Sequence, residues 1–543
     1  LLEDNYKGFV RGGANLSDED KELYSKWSEE LSLTTLQFSK NVLAATNAYV
    51  LNITDEADLA GLPEFVRTMA AETASEKGLE GWAFTLDAPS YSPFLKYSTV
   101  RELRRQVWTA YNTRATEGEN DNSEIVKKIV DLRIKIANIL GYETYADYVL
   151  EERMAKNRNN VTELLTELLE KSLPAARKDV ADIQAYAKSK GVDYELMPWD
   201  FSYWSEKLQE AEYSLNEELL KPYFQLESCI DAVFGLANRL YGITFQELDN
   251  VPVYHEDVKV YEVNDADGRH LALFYADFFP RASKRGGAWM TDFSEQYIDD
   301  KGIDHRPHVS IVMNFTKPTE NKPSLLTLSE VETFLHEFGH ALHSIFSKVQ
   351  YRAQSGTSVK RDFVELPSQI MENWATEKEF LDGWARHYQT GEAIPAELIQ
   401  KLVDASNFNC GYACLRQVAF GLQDMAFHTI TEPFNGDPCE VERTSTAPTN
   451  FLPTVEGTGR CVTFNHIFSG GYAAGYYGYK WAEVLAADAF SLFKEKGIFD
   501  ANTAGAFRHL LEQGGQRHPM DIYVEFRGHK PETQALVEAM GLK

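Results

Sequence analysis

The sequence predicts a mainly α protein with one small β-sheet, and three observations lead there. Apolar residues recur at helical spacing along most of the chain, and β-type patterning is confined to one region. No internal repeat, low-complexity linker or sharp composition break divides the 543 residues. That length is enough to bury a large core and to build two lobes around a cleft.

The helices follow in chain order. Leu23, Trp27 and Leu31 repeat at i, i+4 and i+8 behind an N-cap at Ser17. Ile125, Ile129, Leu132, Ile136 and Ile139 line one face of a helix that starts near Ser123, and Gly141 is placed to end it. Further amphipathic stretches occupy about 161–190, 205–219, 227–242, 370–388, 395–430 and 476–496. Pro174 lies inside the first of these. Its ring and missing N–H should start a new helix there or kink the old one.

The β region runs from Val253 to Phe279, where β-branched and aromatic runs flank an Asp267-Gly268 turn and predict a hairpin. His308 to Phe315 reads as a third strand. A small sheet at this point can offer an edge strand to an extended peptide.

Composition narrows the partners. Hydrophobic residues make up 43% and charged residues 25%, as in an ordinary soluble globular chain rather than a disordered one. The net charge of -28, from 82 acidic and 54 basic residues, repels phosphate backbones and anionic lipid heads. Neither nucleic acid nor a membrane is therefore an expected partner, and no obligate protein partner is evident. No apolar run approaches the roughly 20 residues of a membrane span. Five cysteines do not make a disulfide framework, so free, mostly buried thiols in a reducing, cytoplasmic setting are expected. The chain opens Leu-Leu-Glu without Met or a signal-like segment, so a processed or truncated start is expected and an export signal ahead of it stays open.

The chemistry concentrates in T-L-S-E-V-E-T-F-L-H-E-F-G-H-A-L-H-S-I-F. Two overlapping capping boxes, Thr327 with Glu330 and Ser329 with Glu332, start a helix that runs through the motif. His336 and His340 then project from one face, one turn apart, as two neutral nitrogen ligands for zinc. Glu337 lies beside the metal without lying on it, where it can take a proton from an activated water. With 13 histidines in the chain the motif alone does not decide the case. The apolar stripe Val331, Phe334, Leu335, Phe338 and Leu342 and the preceding strand give it the setting a metallopeptidase needs.

The third ligand is open on the helix itself. His343 shares part of the face, but a regular helix rarely brings three such side chains to one ion, and a packed or supporting role suits it better. Glu365, in S-G-T-S-V-K-R-D-F-V-E-L-P-S-Q-I-M-E-N-W, is the better candidate: it precedes a helix start marked by Pro367 and sits among apolar neighbours. Glu372 and Glu332 could orient the imidazoles, although plain surface salt bridges would serve those residues as well. His466, Tyr472 and Tyr479 stand on a glycine-rich stretch that could close over a substrate and aim donors at an oxyanion. The seven-residue spacing of the two tyrosines returns to one helical face, though an isolated tyrosine cluster more often simply packs.

H-E-F-G-H-A-L-H followed by D-F-V-E-L-P-S-Q-I-M-E-N-W resembles the thimet-oligopeptidase-like zinc metallopeptidases. The nearest look is to their bacterial peptidyl-dipeptidases (dipeptidyl carboxypeptidases), with oligopeptidase A as a near relative. Similar runs include L-K-P-Y-F-Q-L-E, V-P-V-Y-H-E-D-V, L-A-L-F-Y-A-D-F-F-P-R, G-G-A-W-M and F-N-H-I-F-S-G-G-Y-A-A-G-Y-Y-G-Y, so the likeness covers nearly the whole chain. It implies one zinc ion per chain on His336, His340 and Glu365, with Glu337 as general base and acid. It implies transition-state stabilisation by Tyr472 and Tyr479, with His466 beside the substrate. It also implies an elongated, two-lobed helical body whose deep channel admits short peptides, with more helical chain ahead of Leu1. The expected division is an N-terminal helical region over 1–95 and a catalytic domain over 96–543. Release of C-terminal dipeptides is the preferred specificity on resemblance alone. Internal cleavage of oligopeptides is the rival. A peptide-binding scaffold without catalysis is the remote alternative, disfavoured by the intact Glu337 and complete ligand set.

Overall fold

A computed structural model describes every residue except Asn216, Ala282, Ser283, Arg285, Gly286, Thr319, Glu320, Asn321 and Lys543; Gly286 of the G-G-A-W-M run thus lies outside the described residues. Thirteen elements position the site. The helices are α1 (Asp18–Asn47), α2 (Ser123–Ile139), α3 (Arg158–Ser189), α4 (Leu328–Phe346), α5 (Leu366–Glu372), α6 (Cys410–His428), α7 (Pro438–Thr446) and α8 (Gly478–Lys496). The strands are β1 (Thr244–Glu247), β2 (Lys259–Asn264), β3 (His270–Asp277), β4 (Trp289–Ser294) and β5 (His308–Val312).

Helix dominates, as the periodicity predicts. The Ser17 side chain accepts from Asp20 N at the start of α1. The buried face of α1 is Thr34, Phe38, Asn41 and Val42, whereas Leu23, the first member of the predicted stripe, is exposed. α2 buries Ile129, Leu132 and Ile136 and ends with Gly141 at a φ of 89°, a left-handed turn that glycine takes without strain. α3 runs unbroken through Pro174, so no new helix begins there. A packing reason stands beside it. Gly411 of α6 lies so close that a Cβ would meet Ala176 N at 2.5 Å, and this close approach clamps α3 just past the proline. The stretch 395–430 splits in two, with Asn409 in a left-handed conformation ahead of α6. The stretch 370–388 also breaks, into the end of α5, a 3-10 turn over Asn373–Thr376 and a helix over Lys378–Trp384.

The sheet has the order β1-β2-β3-β5-β4. β2 and β3 form the predicted hairpin, though the strand starts at Lys259 rather than Val253. β5 adds parallel to β3, and β4 closes the far edge antiparallel to β5. Sequence reading missed β1 and β4. β4 is half-exposed along W-M-T-D-F-S and lacks the apolar alternation that marks a strand with one buried face.

Three apolar cores meet at the site. The largest packs Phe334, Leu335, Phe338 and Leu342 of α4 against Phe274, Val309 and Ile311 of the sheet. A second joins α3, α6, Ala474 and Tyr477, and a third joins α1 and α2 to Phe464, Phe468 and Tyr476. α4 and the sheet therefore belong to one core, and the glycine-rich stretch to the other two. Among the described residues no helix is long and apolar enough to cross a membrane.

One polar contact ties β4 to α4. Ser344 donates to Asp292 Oδ2 at 2.9 Å, while Asp292 Oδ1 is enclosed without a hydrogen-bond partner among the described residues. Burial pushes the Asp292 carboxyl up to about 6, against the pull of the Ser344 hydrogen bond. An acid whose folded pKa exceeds its unfolded value of about 3.9 stabilises the fold below that value, and the contribution is lost as pH rises to the folded pKa. Asp292→Asn lacks this titration. Its stability relative to wild type should therefore rise by about 2 kcal/mol between pH 4 and pH 7. Urea melts at both pH values test this, and a pH-independent difference would count against it.

Candidate metal centre

The capping box Thr327–Glu330 forms as predicted and starts α4. Ser329 already lies inside the helix, so the second predicted box does not form. His336 and His340 project together, their rings 5.0 Å apart and nearly perpendicular. Glu365 is the residue just ahead of α5, with Pro367 in the first turn. Its Oε2 lies 3.3 Å from His336 Nε2 and 3.1 Å from His340 Nε2. Four tetrahedral positions on an ion with ligands at about 2.0–2.1 Å stand about 3.3 Å from one another, so the donor set fits a zinc-sized cation. His336, His340 and Glu365 are the one such group of ligand atoms among the described residues.

The surroundings tune these groups. Glu372 accepts from His336 Nδ1 at 2.6 Å, fixing which ring nitrogen faces Glu365. Burial works against a charge on His336, but hydrogen bonds to Glu365 and Glu372 outweigh it and raise its pKa to about 10. Burial alone would push Glu365 up; His340 and His336 hold it well below the usual carboxylate range. Glu332 is half-buried one turn before His336 and has an interaction of its own, while the bond to His336 Nδ1 goes to Glu372. Glu337 is 5% exposed, and burial raises its pKa against the pull of both histidines. Its Oε2 has no hydrogen-bond partner among the described residues. A desolvated carboxylate of raised pKa beside the cation position is suited to accept a proton.

His343 is wholly buried and neither ring nitrogen has a partner among the described residues. Burial, then the nearby His340, lowers its pKa to about 3, so it packs as a neutral ring.

The stretch 465–479 is not one helix. A short turn over Asn465–Phe468 is followed by irregular backbone up to α8. Tyr472 and Tyr479 therefore do not share a helical face, yet their rings stack at 4.9 Å and 18°. Asp424 of α6 makes this possible: its buried carboxylate accepts from the N–H groups of Ala474, Gly475 and Tyr476, each at 2.8 Å. The Tyr472 hydroxyl donates to Glu365 Oε1 at 2.8 Å. Burial and Glu365 raise the pKa of Tyr472, and burial and Tyr472 raise that of Tyr479, so both phenols stay protonated. Burial and Arg460 lower the pKa of His466, which keeps that ring neutral.

One cavity of about 440 Å³ is lined by His336, Glu337, His340, Glu365, His466, Tyr472 and Tyr479. Ala288, Trp289 and Met290, at the start of edge strand β4, form part of its wall. Arg361 also lines it and was missed in the sequence. It sits four residues before Glu365, where an arginine in a polar run carries no signal of its own. Its guanidinium lies over the Tyr472 ring at 4.3 Å. Next to it, Asp362 is clamped by Met154 N, Ala155 N and the Tyr477 hydroxyl at 2.8–3.0 Å.

Two imidazoles one turn apart, a buried carboxylate completing the donor set and an unpaired carboxylate beside them define a metallopeptidase site. The comparisons with known proteins agree. The model of peptidase family M3 matches residues 94–542. Oligopeptidase A of Escherichia coli (strain K12) is 40% identical, aligned over all of this chain and 81% of its own length. Dipeptidyl carboxypeptidase of the same organism is 38% identical over all of this chain and 80% of its own. The solved structure of PZ peptidase A with inhibitor 2 shares the fold at a TM-score of 0.57 and 17% identity, covering 96% of this chain and 75% of that one. The chain belongs to peptidase family M3, and it is a metallopeptidase.

The roles of Glu372 and His343 separate in metal binding. Glu372→Gln should lower metal affinity by about 10–100-fold, because the imidazole loses the carboxylate that orients it. His343→Leu should leave affinity unchanged. Competition with a chromogenic chelator measures both, and equal losses would mean that His343 belongs to the donor set.

Proposed function

We propose that this peptidase uses zinc on His336, His340 and Glu365 to hydrolyse short peptides, and that it releases dipeptides from their C-termini. The carrying observation for the dipeptide is Arg361. It is the only Arg or Lys among the described residues lining the cavity, and no carboxylate among them pairs with it. Its guanidinium is 4.3 Å from the Tyr472 ring, and the Tyr472 hydroxyl is 2.8 Å from Glu365. The cation therefore lies within roughly 10 Å of the ligating carboxylate, about the reach of two extended residues at 3.3–3.6 Å each plus a hydrogen bond. A free carboxylate two residues beyond the cut bond would meet a guanidinium that lies over the Tyr472 ring, on backbone anchored by the neighbouring Asp362. In a chain of net charge -28, the one Arg or Lys among the described residues that line the cleft is a selective feature.

When bound, zinc acts as a Lewis acid on the carbonyl and lowers the pKa of a water towards about 7. Glu337 Oε2 accepts the proton of the attacking water and delivers it to the leaving nitrogen. Tyr479 and His466 donate to the developing oxyanion. Tyr472 holds Glu365 by its hydroxyl and Arg361 by its ring face. Edge strand β4 aligns the extended substrate. A cavity of about 440 Å³ suits a few residues of extended chain and excludes a folded domain. Short peptides are thus the partners, and a cytoplasmic setting goes with the free thiols.

Glu337→Gln should keep its zinc while kcat falls by about 10³-fold; unchanged turnover would remove Glu337 as the base. A peptide should be cleaved about 10–100-fold better than its C-terminally amidated twin, as expected for one charge-assisted pair. Arg361→Gln should bring the free acid down to the level of the amide. Equal cleavage of the twins by wild type would favour internal cleavage. A twin preference that survives Arg361→Gln would move the anchor elsewhere.

A further inference from the structure

Outside the metal centre one pair of reactive groups is held in contact without a role in the hydrolysis. Cys439 lies in the first turn of α7, and Cys461 opens the 3-10 turn Cys461–Thr463. Their sulfurs are 3.4 Å apart, across 22 residues of chain. The approach is built in. Gly459 leaves the room for it, since a Cβ there would stand 2.4 Å from Cys439 Sγ. Glu442, one turn along α7, accepts from Cys461 N at 2.7 Å and fixes the backbone of the second cysteine. Asp437 caps the helix on Cys439 N at 2.9 Å. The other thiols differ: Cys229 and Cys414 are buried, and Cys410 donates to Met540 O at 2.9 Å.

The two sulfurs also differ from each other. Cys461 is wholly buried, whereas Cys439 is half-exposed and is the one a solute can reach. The hydrogen bond from Cys461 lowers the Cys439 pKa against its burial, while that bond and burial raise Cys461. A reachable sulfur with thiolate character backed by a second thiol is the arrangement of an attacking and a resolving cysteine.

We propose that Cys439 and Cys461 are an oxidative modification site, closed to a reversible intramolecular disulfide by a peroxide. The Cys439 thiolate attacks one peroxide oxygen; the O–O bond breaks, leaving Cys439 sulfenic acid and one water or alcohol. Cys461 sulfur then attacks Cys439 sulfur; the S–S bond forms, the S–O bond breaks and a water leaves. Two electrons pass from the sulfurs to the peroxide, and a dithiol reverses the change. Closing needs the sulfurs to move from 3.4 Å to about 2.05 Å, within the reach of side-chain rotation.

The bond would be made next to the catalytic wall. Arg460 lies over the Phe420 ring at 3.8 Å, and Phe464 packs on Tyr476 and His466 at 5.2 Å and 5.9 Å. A cross-link at Cys461 therefore ties α7 to the base of the stretch that carries His466.

Treating the zinc-loaded full chain with stoichiometric hydrogen peroxide tests this. A loss of 2 Da in the intact mass, a Cys439–Cys461 linked peptide and a melting temperature a few degrees higher are expected, all reversed by dithiothreitol. Cys439→Ser should abolish the change. Cys461→Ser should leave a sulfenic acid on Cys439 that dimedone traps. A gain of 32 Da on Cys439 without a cross-link, a bond mapped to other cysteines, or no reaction before methionine oxidation would overturn the proposal.

Discussion

The site depends on how closely two helices can approach. Gly339, inside the H-E-F-G-H run, faces α5, and a Cβ there would stand 2.1 Å from Pro367 O and 2.6 Å from Ser368 Cα. Real Cβ contacts do not come so close, so any side chain would drive the helices apart. With glycine they touch, and Glu365 reaches both imidazoles while Glu372, at the far end of α5, reaches the outer nitrogen of His336. The same short helix passes the constraint on: Gln369 donates to Tyr479 O at 3.2 Å, so α5 links Glu365 and Glu372 to the start of α8.

Around this contact the fold uses buried carboxylates as anchors for irregular backbone. Asp362 gathers two N–H groups and a phenol from segments more than a hundred residues distant in sequence. Asp424 gathers three consecutive N–H groups and also contacts His428 Nδ1 at 2.8 Å. Arg133 of α2 continues that network, donating to Ile467 O at 2.7 Å. Buried N–H groups without a regular ladder need such acceptors, and buried carboxylates need such donors. Each satisfies the other, and this wall of the cavity is the result.

This explains which parts were legible in the sequence. The H-E-F-G-H face, the apolar stripe of α4, Glu365 ahead of Pro367 and the β2–β3 hairpin depend on local spacing, and local spacing is what sequence patterns carry. Tyr472 and Tyr479 were expected on one helical face, yet their rings stack across an irregular turn anchored on Asp424, fifty residues earlier. Pro174 was expected to start a new helix or kink the old one; no new helix starts, and α3 runs on where Gly411 packs beside it. Arg361 was invisible because its significance lies in what surrounds it: a cavity, a ring face and no acid partner among the described residues. The second capping box failed because one helix needs only one start. Long-range contacts set each of these outcomes, and no window of sequence contains them.

The Asp424 anchor has a consequence for how the chain can vary. Surface loops commonly absorb insertions and deletions because little holds their backbone. Between Ala474 and Tyr476 three successive amides are spent on one carboxylate, and α8 begins two residues later. Adding or removing one residue would slide every amide off its acceptor and turn both tyrosines away from the cavity. By its lack of regular structure this segment looks like a loop, but its tolerance to change in length is that of a core strand.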